Sequence, residues 1–223
     1  MSPNEHAAGT HPPRWQRRKD ERPSEILVAA LDTFVERGFA ATRLEDIARR
    51  AGCTKGTIFL YFANKEELFK AVVREAIVPF IEDAESAVDA HRGSARELLE
   101  RLLRERWARL ASSPVSCMPK LMVSEAANFP ELARFYHDEV VDRGHRLLTR
   151  VLALGVERGE FRPVDVEHTA RVIVAPLLLA AVWRHSFAPV TKERIDVDAY
   201  FDSFLDLLFR SLAPAAPGGA ARA

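Results

Sequence analysis

Along most of this chain the apolar residues recur every three to four positions, and sustained strict alternation is absent. From Ser24 to Arg37, Ile26, Leu27, Ala30, Leu31, Phe34 and Val35 form one stripe, which predicts an amphipathic helix ending at Gly38. Thr42-Arg43-Leu44-Glu45 has the form of a capping box and predicts a second helix that ends before Gly52. Thr54 is the expected N-cap of a short third helix reaching about Phe62. Asn64, with Glu66 and Glu67 behind it, opens a fourth that continues to about Asp89. A box at Ser94 to Glu97 opens a helix carrying Leu98, Leu99, Leu102, Leu103, Trp107 and Leu110. Further helices are predicted at about 117–127, from Pro130 to Tyr136 and on to about Arg158, at about 165–186 and at about 196–212. With about nine helices and no strand signal, the expected fold class is all-α.

The helix at 165–186 stands apart. Between Val172 and Trp183 it is apolar on every face, so every face needs cover, and a second copy of the chain is the simplest way to cover the outer one. This apolar stretch of 12 residues is too short to span a bilayer, and Pro176 should kink it. No signal peptide is visible in the polar, Pro-containing N-terminus, so a cytoplasmic, membrane-independent protein is expected. The pattern divides the chain into a basic disordered arm (1–22), a small helical unit (23–70), a larger helical unit (71–213) and a disordered tail (214–223).

Composition changes this picture little. The 223 residues are 48% hydrophobic and 29% charged with a formal net charge of zero, as in an ordinary globular protein. The basic excess concentrates in Arg14, Arg17, Arg18, Lys19 and Arg22, a segment that could follow phosphates or stay solvated. Two cysteines, Cys53 and Cys117, make neither a disulfide framework nor a zinc site and are expected to be buried in a reducing compartment. No G-x-S-x-G, H-E-x-x-H, P-loop or dinucleotide fingerprint is present. The chain is therefore not expected to be an enzyme or to hold a cofactor or metal.

The informative stretch is TRLEDIARRAGCTKGTIFLYFANKEEL, Thr42 to Leu68. It reads as two short helices joined by Gly52-Cys53-Thr54. Ile47, Ala48, Ala51 and Ile58 face inward, and the small alanines allow a close crossing. This suits a helix-turn-helix, whose second helix enters the major groove. Outward would point Thr54, Lys55, Thr57, Leu60 and Tyr61, whose hydroxyls and ammonium can meet phosphates or base edges, while Gly56 permits close approach.

The runs Ile47-Ala48-Arg49-Arg50-Ala51-Gly52, Thr57-Ile58-Phe59-Leu60-Tyr61-Phe62 and Lys65-Glu66-Glu67-Leu68 resemble the DNA-binding domain of the TetR (tetracycline repressor) family over about residues 25–70. The resemblance implies DNA contacts from Thr42, Arg43, Lys55, Gly56, Thr57, Phe59, Leu60, Tyr61 and Lys65. Thr42 and Thr54 could also serve only as caps. Phe59 stands where that family usually has Tyr, so its ring can touch a thymine methyl but donates no hydrogen bond. Met122 to Ala126 followed by Phe129-Pro130-Glu131-Leu132 is similar to a ligand-domain subgroup of the same family. That similarity implies a homodimer through the helices at about 165–186 and 196–212. It also implies a repressor released from double-stranded operator DNA by a small apolar or amphipathic effector. Trp107, Met118, Met122, Phe135, His145 and Trp183 are the candidate pocket lining, each equally at home in an ordinary core. The alternative is a dimeric helical interaction protein without specific DNA binding.

Overall fold

The computed structural model of the chain describes residues 14–192 and 195–214, apart from the side chains of 14–21, 111 and 112. Among the described residues it is all-α, with no strand. Eleven α-helices run in order: α1 (Arg14–Ala41), α2 (Leu44–Arg50), α3 (Lys55–Phe59), α4 (Lys65–Ala76), α5 (Val78–Ala90), α6 (Ala95–Ser112), α7 (Met118–Glu125), α8 (Pro130–Tyr136), α9 (Arg143–Glu157), α10 (Val166–Ser186) and α11 (Val197–Leu212). A 3-10 turn, Pro114–Cys117, leads into α7, and a turn of π-helix, His137–Asp142, joins α8 to α9. Counting α4 with α5 and α8 with α9 recovers the nine expected elements.

Most caps are where side-chain chemistry puts them. Gly38, at φ 79° and ψ 169°, breaks α1 three residues before its formal end. Thr54 accepts from the Thr57 N–H at 3.1 Å and Asn64 from the Glu67 N–H at 2.8 Å. Asp165 and Asp196 cap α10 and α11.

Four expectations are corrected. Residues 14–22 of the arm read as disordered are helical and extend α1 toward the N-terminus, with Pro23 inside the helix; residues 1–13 lie outside the described residues, as do 215–223 of the expected tail. The stretch before Pro23 holds neither Gly nor Pro, so nothing interrupts it locally. The single helix expected from Asn64 to about Asp89 is divided at Ile77, because Pro79 has no N–H for the Glu75 carbonyl and its ring would clash there. The box at Thr42 is absent. Arg43 occupies the N-cap without a side-chain bond, while the Thr42 hydroxyl donates backward to the Gly38 carbonyl at 2.6 Å, closing the end of α1. At Ser94 the cap is real, yet the reciprocal carboxylate comes from Glu160, which accepts from Ser94 Oγ at 2.7 Å and the Arg96 N–H at 3.2 Å.

Two cores form. The first joins α1–α4 to α7 and α8 through Ile26, Phe34, Ile47, Ile58, Phe69, Met118 and Leu132. Its centre is an aromatic cluster: Phe39 stands 5.4 Å from Phe69 and 4.7 Å from Phe129, both edge-on. The small helical unit at 23–70 therefore shares its core with the larger one. The second core holds α6, α9, α10 and α11 together through Leu98, Leu103, Val151, Ile173, Phe201 and Phe209. Cys117 is buried as expected, where burial pushes its thiol up to about 11, and Cys53 is half-buried.

Helix α10 is 21 residues long, and by length and mean hydropathy alone it could cross a membrane, although its uninterrupted apolar stretch is the 12 residues between Arg171 and Arg184. Ala170, Ile173, Leu177 and Ala181 bury its inner face. Its outer face, with Val172, Leu178 and Leu179, is exposed in the single chain, as is Leu207 on α11.

Candidate DNA-binding face and interhelical cavity

Helices α2 and α3 cross over buried Ile47, Ala48 and Ile58, with Gly52 at φ 60° between them. Only Gly readily takes that backbone, which lets the turn be short. The five residues of α3 then have one fully buried anchor, Ile58, with Thr57 half-buried and the other three exposed. Phe59 is 47% exposed and Leu60 79%, an apolar pair with no core to enter. Thr54, Lys55 and Gly56 are exposed beside them, while Thr57 and Tyr61 are half-buried. The Thr54 and Thr57 hydroxyls share a hydrogen bond of 2.9 Å. Arg43 is exposed at the start of α2, and no ion pair involves it among the described residues. Lys55 is matched by Glu45 at 2.7 Å, which holds the Glu45 carboxyl below its usual range.

Two expected contact residues are placed differently. Thr42 is 2% exposed, with its hydroxyl bonded to the Gly38 carbonyl, so it offers DNA no side-chain donor. Lys65 is turned inward. Its Nζ donates to the carbonyls of Phe39 (2.7 Å), Ala40 (3.2 Å) and Thr42 (3.0 Å), and lies 4.4 Å from the Phe39 ring centroid. Desolvation lowers its pKa, opposed by the charge of Glu125. These carbonyls lie at the broken end of α1, where helical partners run out. The ammonium thus ties α4 to the α1–α2 connection.

Glu125, the last residue of α7, completes this joint from the other side. It is 9% exposed and accepts from the Ala40 N–H at 3.1 Å. With Phe129 against Phe39, it couples the larger helical unit to the segment that positions α2. The pattern of residues gives little sign of Glu125: a carboxylate at a helix end ordinarily reads as solvated.

A cavity of about 380 Å³ lies between α5, α6, the 3-10 turn, the π-turn, α9 and α10, within the size range of small-molecule sites. Phe80, Leu103, Val140 and Leu148 are among its apolar wall residues, and Arg106, Tyr136 and Ser116 line it too. Of the six residues expected to line a pocket, only His145 does so. Trp107 lies flat on Phe201 in the second core, ring centroids 4.5 Å apart. Met118 and Met122 are buried in the first core, and Phe135 packs at its edge under the Arg74 guanidinium. Trp183 packs on Phe187. Large apolar side chains went to close-packed cores, which the choice by residue type could not separate from a cavity wall. A better signal was Arg106, a charge on the apolar stripe of α6 between Leu103 and Leu110.

Residues 26–72 match the family described as bacterial regulatory proteins, tetR family, and residues 89–210, more than half of the chain, match the tetracyclin repressor-like C-terminal domain. The chain is 25% identical over 194 residues to the fatty acid metabolism regulator protein of Bacillus subtilis, covering 85% of this chain and 96% of that one. It is 27% identical to the HTH-type transcriptional repressor KstR2 of Mycobacterium tuberculosis, covering 79% of this chain and 88% of that one. Among solved structures it resembles the regulator PfmR of Thermus thermophilus with a TM-score of 0.67 at 26% identity, covering 84% of this chain and 98% of the other.

Proposed function

The chain belongs to the tetR family of bacterial regulatory proteins, and we propose that it acts as a dimeric, effector-released repressor in the cytoplasm. The observation that carries the DNA reading is the outward face of α3. A five-residue helix that spends one side chain on the core and exposes Lys55 and Phe59, with Leu60 exposed at its C-cap, presents a face suited to a partner outside the chain. Arg43, Lys55 and the α3 backbone would meet phosphates, while Thr57, Phe59, Leu60 and Tyr61 would face base edges. Phe59 would give apolar contact with a thymine methyl in place of a hydroxyl bond.

A second copy would cover the outer face of α10 and Leu207 of α11, placing two α3 helices on one side of the dimer. An effector in the cavity touches α5, α6, α9 and α10. The strain would reach α2 through α7, by way of Glu125 to Ala40 and Phe129 to Phe39. Release then requires that the effector bind the non-DNA spacing of the two α3 helices more tightly than the DNA-competent one.

The test is selection of genomic fragments on the immobilised full chain, followed by footprinting of the enriched DNA. The reading expects protection of two half-sites related by a two-fold axis. Enrichment no better than random fragments at low salt would contradict it and favour an interaction protein.

A further inference from the structure

The cavity holds a cation that no group among the described residues neutralises. Arg106 sits one turn beyond Leu102 and Leu103 on α6 and one turn before Leu110, so the helix carries it to the inner wall. Its side chain is exposed in the single chain, and it stands on the wall of this partly open cavity. The packing pulls its pKa down through desolvation, and the one group opposing this is the Tyr136 hydroxyl. Among the described residues Arg106 has no carboxylate partner and no hydrogen bond.

The other charged groups on this wall are matched, with one exception. Glu105 faces Arg101 at 4.0 Å, and Asp142 pairs with Arg146. His145 and Arg171 share Glu167 at 2.9 and 3.8 Å, and His137 meets Asp138 at 3.0 Å. The exception adds to the positive charge: Arg109 stacks on Phe80 at 3.5 Å, with its Nη1 buried and unpartnered among the described residues. A second depression, between α6 and α11, is open and its charges are largely paired among themselves, as Arg104 with Glu100 and Arg210 with Asp206, so it makes no such demand.

An unpaired guanidinium on a largely apolar cavity wall gains from an anion that meets it, and its planar fork matches the two oxygens of a carboxylate. We infer that the effector is an amphipathic carboxylate, its charged end on Arg106 and its apolar body along Phe80, Leu103, Val140 and Leu148. The inference rests on the effector-responsive reading above. It excludes cationic effectors, and a neutral one would leave Arg106 as it stands.

The test is thermal shift and calorimetric titration of the full chain with straight-chain carboxylates from hexanoate to tetradecanoate, beside the matched alcohols and amines. At least one carboxylate should raise Tm with concentration and bind about tenfold or more tighter than its alcohol, as a charge-assisted pair implies. Arg106→Met should abolish that preference. Alcohols or amines binding as well as acids, no carboxylate binding to the wild type, or a carboxylate preference retained in Arg106→Met would each overturn it. Mobility shift on an enriched fragment with the same preparations separates the failures. Intact DNA binding without carboxylate preference overturns the anionic effector alone, and absent specific DNA binding overturns the regulator reading beneath it.

Discussion

Replacing Lys65 by Met keeps the stem over Phe39 and removes the ammonium. Three carbonyls at the end of α1 lose their shared donor, and the buried Glu125 carboxylate loses a nearby positive charge. A hydrogen bond to a charged group contributes about 1.5–3 kcal/mol, and three bonds from one ammonium do not add in full. Stripping the partner from a buried charge costs about 3–5 kcal/mol, which sets the upper bound. Lys65→Met should therefore cost about 3 kcal/mol and lower Tm by roughly 6–12 °C for a domain of this size. Urea unfolding followed by circular dichroism measures it. Adding Glu125→Gln, which can still accept the Ala40 N–H, should recover part of the loss, because the orphaned carboxylate is then neutral. If Lys65→Met unfolds within about 0.5 kcal/mol of wild type while DNA binding weakens, Lys65 is a phosphate contact and the joint described here is wrong.

Gly38 is held at φ 79° and ψ 169°, a region nearly closed to residues with a Cβ. The space beside it is open, its nearest neighbour being Glu125 Oε1 at 3.6 Å, so Gly38→Ala should cost about 1–3 kcal/mol through backbone strain alone, read by the same unfolding assay. Arg143 grips Glu85 with two bonds of 3.0 and 2.7 Å and holds its carboxyl below the usual range. A depressed carboxyl pKa stabilises the fold above the unfolded value and ceases to do so as pH falls through the folded one. Arg143→Met should thus cost about 1 kcal/mol at neutral pH, and its gap from wild type should close as pH drops below the ordinary glutamate range. Glu45→Gln frees Lys55 and removes an anion from the DNA side, so operator affinity in fluorescence anisotropy should rise a few-fold at low salt and less at high salt.

Much of the fold was legible because helix ends carry local chemistry. Gly38, Thr54, Asn64 and Ser94 announce their roles through backbone freedom or a short polar side chain. Errors arose where the partner lies far along the chain. Thr42 looks like the start of α2, but the unsatisfied carbonyls at the end of α1 claim its hydroxyl. Lys65 has the spacing of a phosphate contact, but the same carbonyls lie within its reach once α4 folds back over α1. The cavity was the least legible part. Its apolar wall is chemically the same as core, and the distinguishing mark, an arginine on an apolar stripe, is visible only to a reading that asks which charges lack partners.

On the reading proposed above, the face made by the start of α2 and by α3 binds the DNA backbone. The most direct test is the slope of log affinity against log salt concentration on an enriched fragment, for wild type, Arg43→Ala and Lys55→Ala. Each removed phosphate contact should make the slope shallower by about one per protomer, with unfolding stability unchanged. Slopes indistinguishable from wild type for both variants would contradict the account and move the DNA-binding face elsewhere on the chain.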